Sequence, residues 1–466
     1  MKKINKLLDV LETRYKKKTK KSRKLHERAQ AVMVRGGSHS IRLWTPYPFF
    51  MARAKGPYVY DVDGNAFIDY WQGHYANILG HNPAVLKKEF ERFDPEAGSL
   101  HTGFEGESQV LLAELLLKQI GHKDYKVRFT TSGTLATMYA VMLAQATTGR
   151  QGILKIGGGW HGASPYLLKG VKFHEKRGFN HPESAGVPRE ILRDIFITRF
   201  DDPDDLERIL QKKRDKIGCF ILEPFLGVGG FLAASKEYIE LARRLTERYG
   251  IVLIFDEIVS GFRFCPSGVQ KLYGVEPDLS TFGKVIGGGH AVSAVAGRTE
   301  ILDVKPSKAS GYLRVQFEGG TFSSHPQYMR AGYVMLKHLV EHAAMIYPRL
   351  VASGDLLRKS VEDVFLCEGI EARCTGYGNE VIRGGSLYMV NFPLKKTTYS
   401  SAEDLWNPRF SDVRLKEEIL KIALLTENVH VVHGGGAISL AHEDTHITKT
   451  VEAYAETAKL FKKYLY

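Results

Sequence analysis

Asp256 and Lys284 stand in the frames IVLIFDEIVSGFRF (251–264) and PDLSTFGKVIGGG (277–289). An Asp that closes an apolar strand is an anion at the rim of a core. A Lys between apolar residues and a glycine run is a cation with little access to water. Unpaired buried charges are costly, so each needs a partner. Together the two suit a chemistry in which a carboxylate holds a ring nitrogen protonated while an amine condenses with a carbonyl.

Other runs supply complementary groups. TTSGTLATM (130–138) puts Ser132, Gly133 and Thr134 where the strand-like VRFT (127–130) turns into a helix. Glycine lets the backbone approach an anion, hydroxyls donate, and the first N–H groups of a helix are free. That suits a single phosphate; the plain alternative is a Ser or Thr that only caps a helix. No GxxxxGK[ST] run occurs, so this is no P-loop. GGGWHGASP (157–165) sets Trp160 where its ring can stack on a flat heterocycle, against the competing reading of a Trp buried in a loop. His161 reads as a structural, hydrogen-bonding histidine. Ile258 can pack on the opposite face of the heterocycle. In FEGGTFSSHP (317–326), Thr321 follows paired glycines and could complete a phosphate cup.

A phosphate, a flat pyridine ring, an acid for its nitrogen and a lysine for an aldehyde describe pyridoxal 5′-phosphate (PLP). Lys284, once displaced by a substrate amine, then serves as the base for the Cα proton, and burial lowers its pKa toward that use.

The elements that must position these groups are legible as alternation. GILKI (152–156), DIFITRF (194–200), CFILEP (219–224) and IVLIFDE (251–257) read as strands. TLATMYAVMLAQATT (134–148) and KEYIELARRLTERYG (236–250) read as helices. Strands separated by helical lengths predict an α/β fold with a mostly parallel sheet, whose ligands sit outside the carboxyl ends of the strands. YVYDVDGNAFIDY (58–70) reads as a hairpin around Asp63-Gly64-Asn65, and a long helical stretch starts at Gln327. The expected divisions are a basic arm (1–35), the N-terminal part of a small domain (36–95), a large cofactor domain (96–335) and a C-terminal part of the small domain (336–466). A covering loop is expected near 170–190.

At 466 residues, with 44% hydrophobic and 25% charged residues, the chain is an ordinary globular protein of more than one domain. Residues 1–35 hold thirteen Lys/Arg against three Asp/Glu, so most of the net charge of +13 sits in that arm. Ile4, Leu7, Leu8 and Leu11 fall at helical spacing there. This predicts a helix packed on the body, with a nucleic-acid or lipid binder as the non-enzyme alternative. Four scattered cysteines form no CxxC pair, which argues against a zinc site and fits a reducing cytoplasm. The basic start has no apolar signal core, and CFILEPFLGVGGFLAA (219–234) is too interrupted for a membrane span.

From about residue 36 onward the chain resembles the class III, fold-type I PLP aminotransferases. The resemblance rests on DVDGNAFIDY, ILGHNPAV, SGTLATM, GGWHGA, SAGVP, LEP, FDEIVSGFR, PDLSTFGKVIGGG, GGTFSSHP and ISLAHED, in that order. It implies a large PLP domain with a smaller α+β domain from both chain ends. It implies Lys284 as the cofactor lysine, Asp256 under the ring nitrogen, and Ser132, Gly133 and Thr134 on the phosphate, with Trp160 on the ring. Thr321 would reach the phosphate of a neighbouring subunit, hence a homodimer with shared sites. GGSHSIRLW (36–44) resembles the segment in which aminomutases of this family bind a substrate carboxylate, which places Arg42 there. Amino-group transfer on an amino/oxo carboxylate is the implied reaction, and a PLP racemase of the same fold is the alternative. The chain departs from the family in having no amide shortly after Glu223-Pro224, Trp160 where Tyr or Phe is usual, and His325-Pro326 for Asn-Pro. These departures leave the substrate open.

Overall fold

The computed structural model describes residues 2–92, 103–303, 315, 319–395 and 398–466. Phe317, Glu318 and the 95/96 division expected above lie outside them.

A seven-stranded sheet carries the site. Its strands lie in the order Tyr125–Thr130, Ser293–Arg298, Leu279–Phe282, Val252–Glu257, Ile217–Leu222, Gly152–Ile156 and Ile195–Thr198. Ser293–Arg298 runs antiparallel to both neighbours, and the remaining pairs are parallel. The other six strands therefore end on one edge. Every residue of Ile217–Leu222 and Val252–Glu257 is buried, as expected of strands covered by helices on both faces. The helix Gly133–Thr148 covers one face through Ala136, Ala140, Val141, Leu143 and Ala144. Ser132 caps its start by accepting from Leu135 N, and Gly149 ends it in the left-handed region. Lys236–Arg248 covers the other face with Leu241 and Leu245 inward. All four strand runs and both helices read from the sequence are present, with ends that coincide or shift by one or two residues.

A second core draws on both ends of the chain. The hairpin strands Tyr58–Asp61 and Ala66–Asp69 pair as expected, and Ala66–Asp69 also pairs in parallel with Val429–His430. The helix Lys2–Lys18 sends Leu7, Leu11 and Tyr15 into this core beside Phe365, Leu420 and Phe461. Burying such side chains contributes about 1.5–3 kcal/mol each. Lys18 Nζ adds hydrogen bonds to Asn428 Oδ1 at 2.7 Å and Leu425 O at 3.2 Å. The arm is part of the folded body, and lysines such as Lys6, Lys16, Lys17 and Lys20 are exposed because its apolar stripe is buried in the core. Among the described residues no helix is long and apolar enough to cross a membrane.

Candidate active site

Asp256, Lys284, Trp160 and the Ser132–Thr134 run lie at or shortly past strand ends on the carboxyl edge of the large sheet. Asp256 is buried near the end of its strand. Its Oδ2 lies 2.7 Å from His161 Nδ1, and its Oδ1 accepts from Ile258 N at 3.0 Å and from Thr281 Oγ1 at 3.2 Å. His161 is also buried, and its Nε2 has no hydrogen-bond partner among the described residues. Burial lowers the His161 pKa, and the bond to Asp256 opposes that shift. The histidine read as structural is thus the residue that orients Asp256.

Lys284 follows the Leu279–Phe282 strand, two residues past its end, with φ 49° in the left-handed region. Such a backbone is uncommon outside glycine and is often found at functional sites. Burial lowers the pKa of its amine; Asp256 and Glu223 pull it back up and Arg263 adds to the fall. None of the described residues accepts a hydrogen bond from Nζ. Lys155, a second lysine of the same sheet, makes a useful contrast. Its ammonium is fully buried and donates to the carbonyls of Gly159, Leu167 and Lys169 at 3.0, 3.1 and 2.9 Å. All three of its donors are taken, so it pins the loop that carries Trp160 and His161. Of these two lysines, Lys284 is the one whose amine is free for chemistry.

That loop is pressed against the helix Gly133–Thr148. Thr137 Oγ1 donates to His161 O at 2.6 Å, and Ala163 N donates to Thr134 Oγ1 at 3.2 Å. A Cβ at Gly162, whose φ is +86°, would collide with Thr134. Ser132, Gly133 and Thr134 lie at the helix start, where the first N–H groups have no intrahelical acceptor. Ile258 packs on Gly133 and Gly283, where a Cβ would lie 3.1 and 2.9 Å from its Cδ1. Trp160 is 37% exposed, so the ring offers a free surface. Phe179, in the loop expected to cover the site, lies on Gly157.

Glu223 was noticed only as part of LEP. It is buried and accepts from Trp160 N at 3.0 Å and Gly227 N at 2.9 Å. Burial, with Asp256 nearby, pushes its pKa up to about 8 against those two N–H groups. Glu257 is spent on structure, accepting from Val269 N, Gln270 N and Ser260 Oγ.

Arg42 is exposed, and its guanidinium meets His74 Nε2 at 3.3 Å. His74 in turn is close enough to Lys284 to be affected by its charge. Nothing in the sequence pointed to His74. Gln72, Gly73, His74 and Tyr75 all have φ between 45° and 69°, a left-handed turn that costs about 1–2 kcal/mol per non-glycine residue. Two buried groups hold it. Asp69 accepts from Trp71 N, Gln72 N, His81 Nε2 and His430 Nδ1 at 2.8–3.0 Å. Arg263 donates to the carbonyl of Tyr75. Burial alone would raise the Asp69 pKa, but the two histidines hold it well below the usual carboxylate range. Thr321 stands apart from this cluster, exposed in a turn before the helix Pro326–Glu341.

These groups fit PLP. The buried carboxylate is already oriented, the amine is unengaged, the helix start is open to an anion, and an indole face stands free beside them.

Residues 42–363 match the family of class III aminotransferases. A glutamate-1-semialdehyde 2,1-aminomutase of Methanocaldococcus jannaschii is 38% identical over 361 residues, 76% of this chain and 81% of that protein. An omega-transaminase from Sphaerobacter thermophilus superposes with a TM-score of 0.81 at 29% identity, covering 94% of this chain and 97% of the other. A transaminase solved with PLP bound gives a TM-score of 0.80 at 28% identity, over 96% and 99% of the two chains. The chain is a PLP-dependent enzyme of amino-group transfer and belongs to the class III aminotransferases.

Proposed function

We propose that this enzyme acts on an amino/oxo carboxylate of the glutamate-1-semialdehyde type, as an aminomutase-like aminotransferase. The observation that carries this reading is the placement of Arg42, through His74, beside the Lys284–Asp256 pair. The name of the Methanocaldococcus relative supports the substrate type.

PLP, when bound, supplies an aldehyde for condensation with an amine and a pyridinium ring that takes up the electron pair released at Cα. The rest falls to the chain's own residues. Asp256, fixed by His161 and Thr281, holds a proton on a ring nitrogen. Ser132, Gly133 and Thr134 hold a phosphate with hydroxyls and free N–H groups. Trp160 and Ile258 enclose a flat ring from its two faces. The Lys284 amine, its pKa lowered by burial, is the nucleophile, and once released it carries the proton away from and back to substrate carbon atoms. Arg42 binds the substrate carboxylate along one edge.

Thr321 is exposed, as are Phe322 (62%) and Phe104 (78%). This supports a homodimer in which Thr321 completes the phosphate site of the partner subunit. The cysteines Cys219, Cys265, Cys367 and Cys374 are all free, which supports a cytoplasmic location.

The test is turnover of glutamate-1-semialdehyde by the PLP-loaded protein without any added acceptor. Conversion to 5-aminolevulinate is expected. No conversion without an acceptor, but amine transfer once a keto acid is added, would replace the aminomutase with an intermolecular transaminase.

A further inference from the structure

Arg42 Nε and Nη2 both lie 3.3 Å from His74 Nε2. These two nitrogens form one edge of the guanidinium, the edge that pairs with both oxygens of a carboxylate. A guanidinium only donates, so Nε2 of His74 is the acceptor and the ring is neutral. The free protein therefore fills its own carboxylate edge with an imidazole.

The backbone of His74 is held, so its ring can leave Arg42 only by turning about its side-chain bonds. The left-handed turn fixes its Cα from both ends, through Asp69 and Arg263. Trp71 lies against the ring at 4.2 Å between centroids and His39 at 5.1 Å. Among the described residues, the charged or titratable groups acting on it are Arg42 and His39 from the segment before the first strand, and Lys284 from the sheet edge. Burial, followed by those three groups, pushes its pKa down to about 4. A carboxylate brought to Arg42 would supply the negative charge that this environment lacks.

We propose that His74 is a proton-operated latch on Arg42: the neutral ring occupies the guanidinium edge, and the protonated ring vacates it and becomes a second cation for the substrate carboxylate. This rests on the reading of Arg42 as the carboxylate anchor. A protonated His74 has no lone pair to offer and is repelled by Arg42, so the edge opens. Carboxylate binding then takes up a proton, and preference for carboxylated over uncarboxylated amines grows as the pH falls.

The experiment is calorimetric titration of the PLP-loaded enzyme with pentanoate, a carboxylate without an amine, with its concentration counted as the anion and its own ionisation heat subtracted. In the wild type, Kd is expected to tighten about tenfold between pH 8 and pH 5.5, as for one histidine gaining a carboxylate partner. The heat at pH 5.5 should vary with the ionisation enthalpy of the buffer, marking proton uptake. His74→Asn keeps a residue that tolerates the left-handed turn but cannot titrate. It should bind pentanoate equally at both pH values, more tightly than the wild type at pH 8 and more weakly at pH 5.5. His39→Asn should keep the wild-type response. A wild-type Kd that ignores pH, with no buffer-dependent heat, overturns the latch without any variant. So does a pH response that survives in His74→Asn or vanishes in His39→Asn. Unchanged pentanoate binding in Arg42→Ala would instead remove the carboxylate anchor on which the latch depends.

Discussion

The carboxyl edge of the central sheet and the turn at residues 72–75 both act on Lys284, and they are held in opposite ways. At the sheet edge, regular strands deliver Asp256 and Lys284 to neighbouring positions, and the cost of burying charge is met by short local bonds to His161 and Thr281. At the turn, no regular element is present. Strained backbone is held by one carboxylate with four donors and by one buried arginine. In the proposed reading the sheet edge does the chemistry and the turn sorts substrates. The first is pre-organised by the fold itself, the second by a hub of buried polar groups.

The largest effect should come from the sheet edge. Lys284→Ala is expected to lower kcat by at least about a thousandfold while the fold and PLP binding persist, since it removes both the nucleophile and the proton carrier. Single-turnover kinetics and melting curves check this together; kcat within tenfold of the wild type would place the chemistry elsewhere.

Asp69→Ala strikes the turn instead. It leaves His81, His430 and two N–H groups without their shared acceptor, and about 3–5 kcal/mol of stability should be lost. Urea unfolding measures it, and a change under 1 kcal/mol would mean that the turn does not depend on Asp69. Lys155→Met bears on the loop between the two regions. Three carbonyls lose their donor, at about 1–3 kcal/mol in total. Hydrogen exchange should quicken in residues 157–169 and stay unchanged in 72–75; the reverse pattern would tie Lys155 to the turn.

The smallest effect is on pH. His442 is fully buried beside Ser439, and burial lowers its pKa to about 3. Above about pH 6.5 it is neutral both folded and unfolded and contributes no pH dependence. As the pH falls from there toward 3, the unfolded chain binds the proton and the folded one does not. Stability should fall by about 1.4 kcal/mol per pH unit from this one group. His442→Asn should flatten the slope by that amount, and an unchanged slope would show that His442 accepts its proton in the folded protein.

The same contrast explains what the sequence disclosed. Asp256, Lys284, Trp160 and the Ser132–Thr134 run are placed by βα alternation, and alternation is written in apolar periodicity. A lysine inside the apolar run GILKI was a visible oddity, and Lys155 could have been read from it as a buried clamp. The resemblance placed Arg42, but His74, Asp69 and Arg263 act through a turn without periodicity. Three of its four left-handed residues are not glycine, so even the usual marker of positive φ was missing. The apolar stripe of the arm predicted its helix, yet Tyr15 and the pairing of Ala66–Asp69 with Val429–His430 depend on contacts between distant parts of the chain.

The central claim is that Lys284, and not the more deeply buried Lys155, holds the cofactor. Borohydride reduction of the PLP-loaded protein, followed by peptide mass mapping, tests it most directly. The account predicts one stable pyridoxyl label, on the peptide that contains Lys284, with Lys155 unmodified. A label on Lys155, or no label on Lys284 in a protein that shows bound PLP, would contradict it.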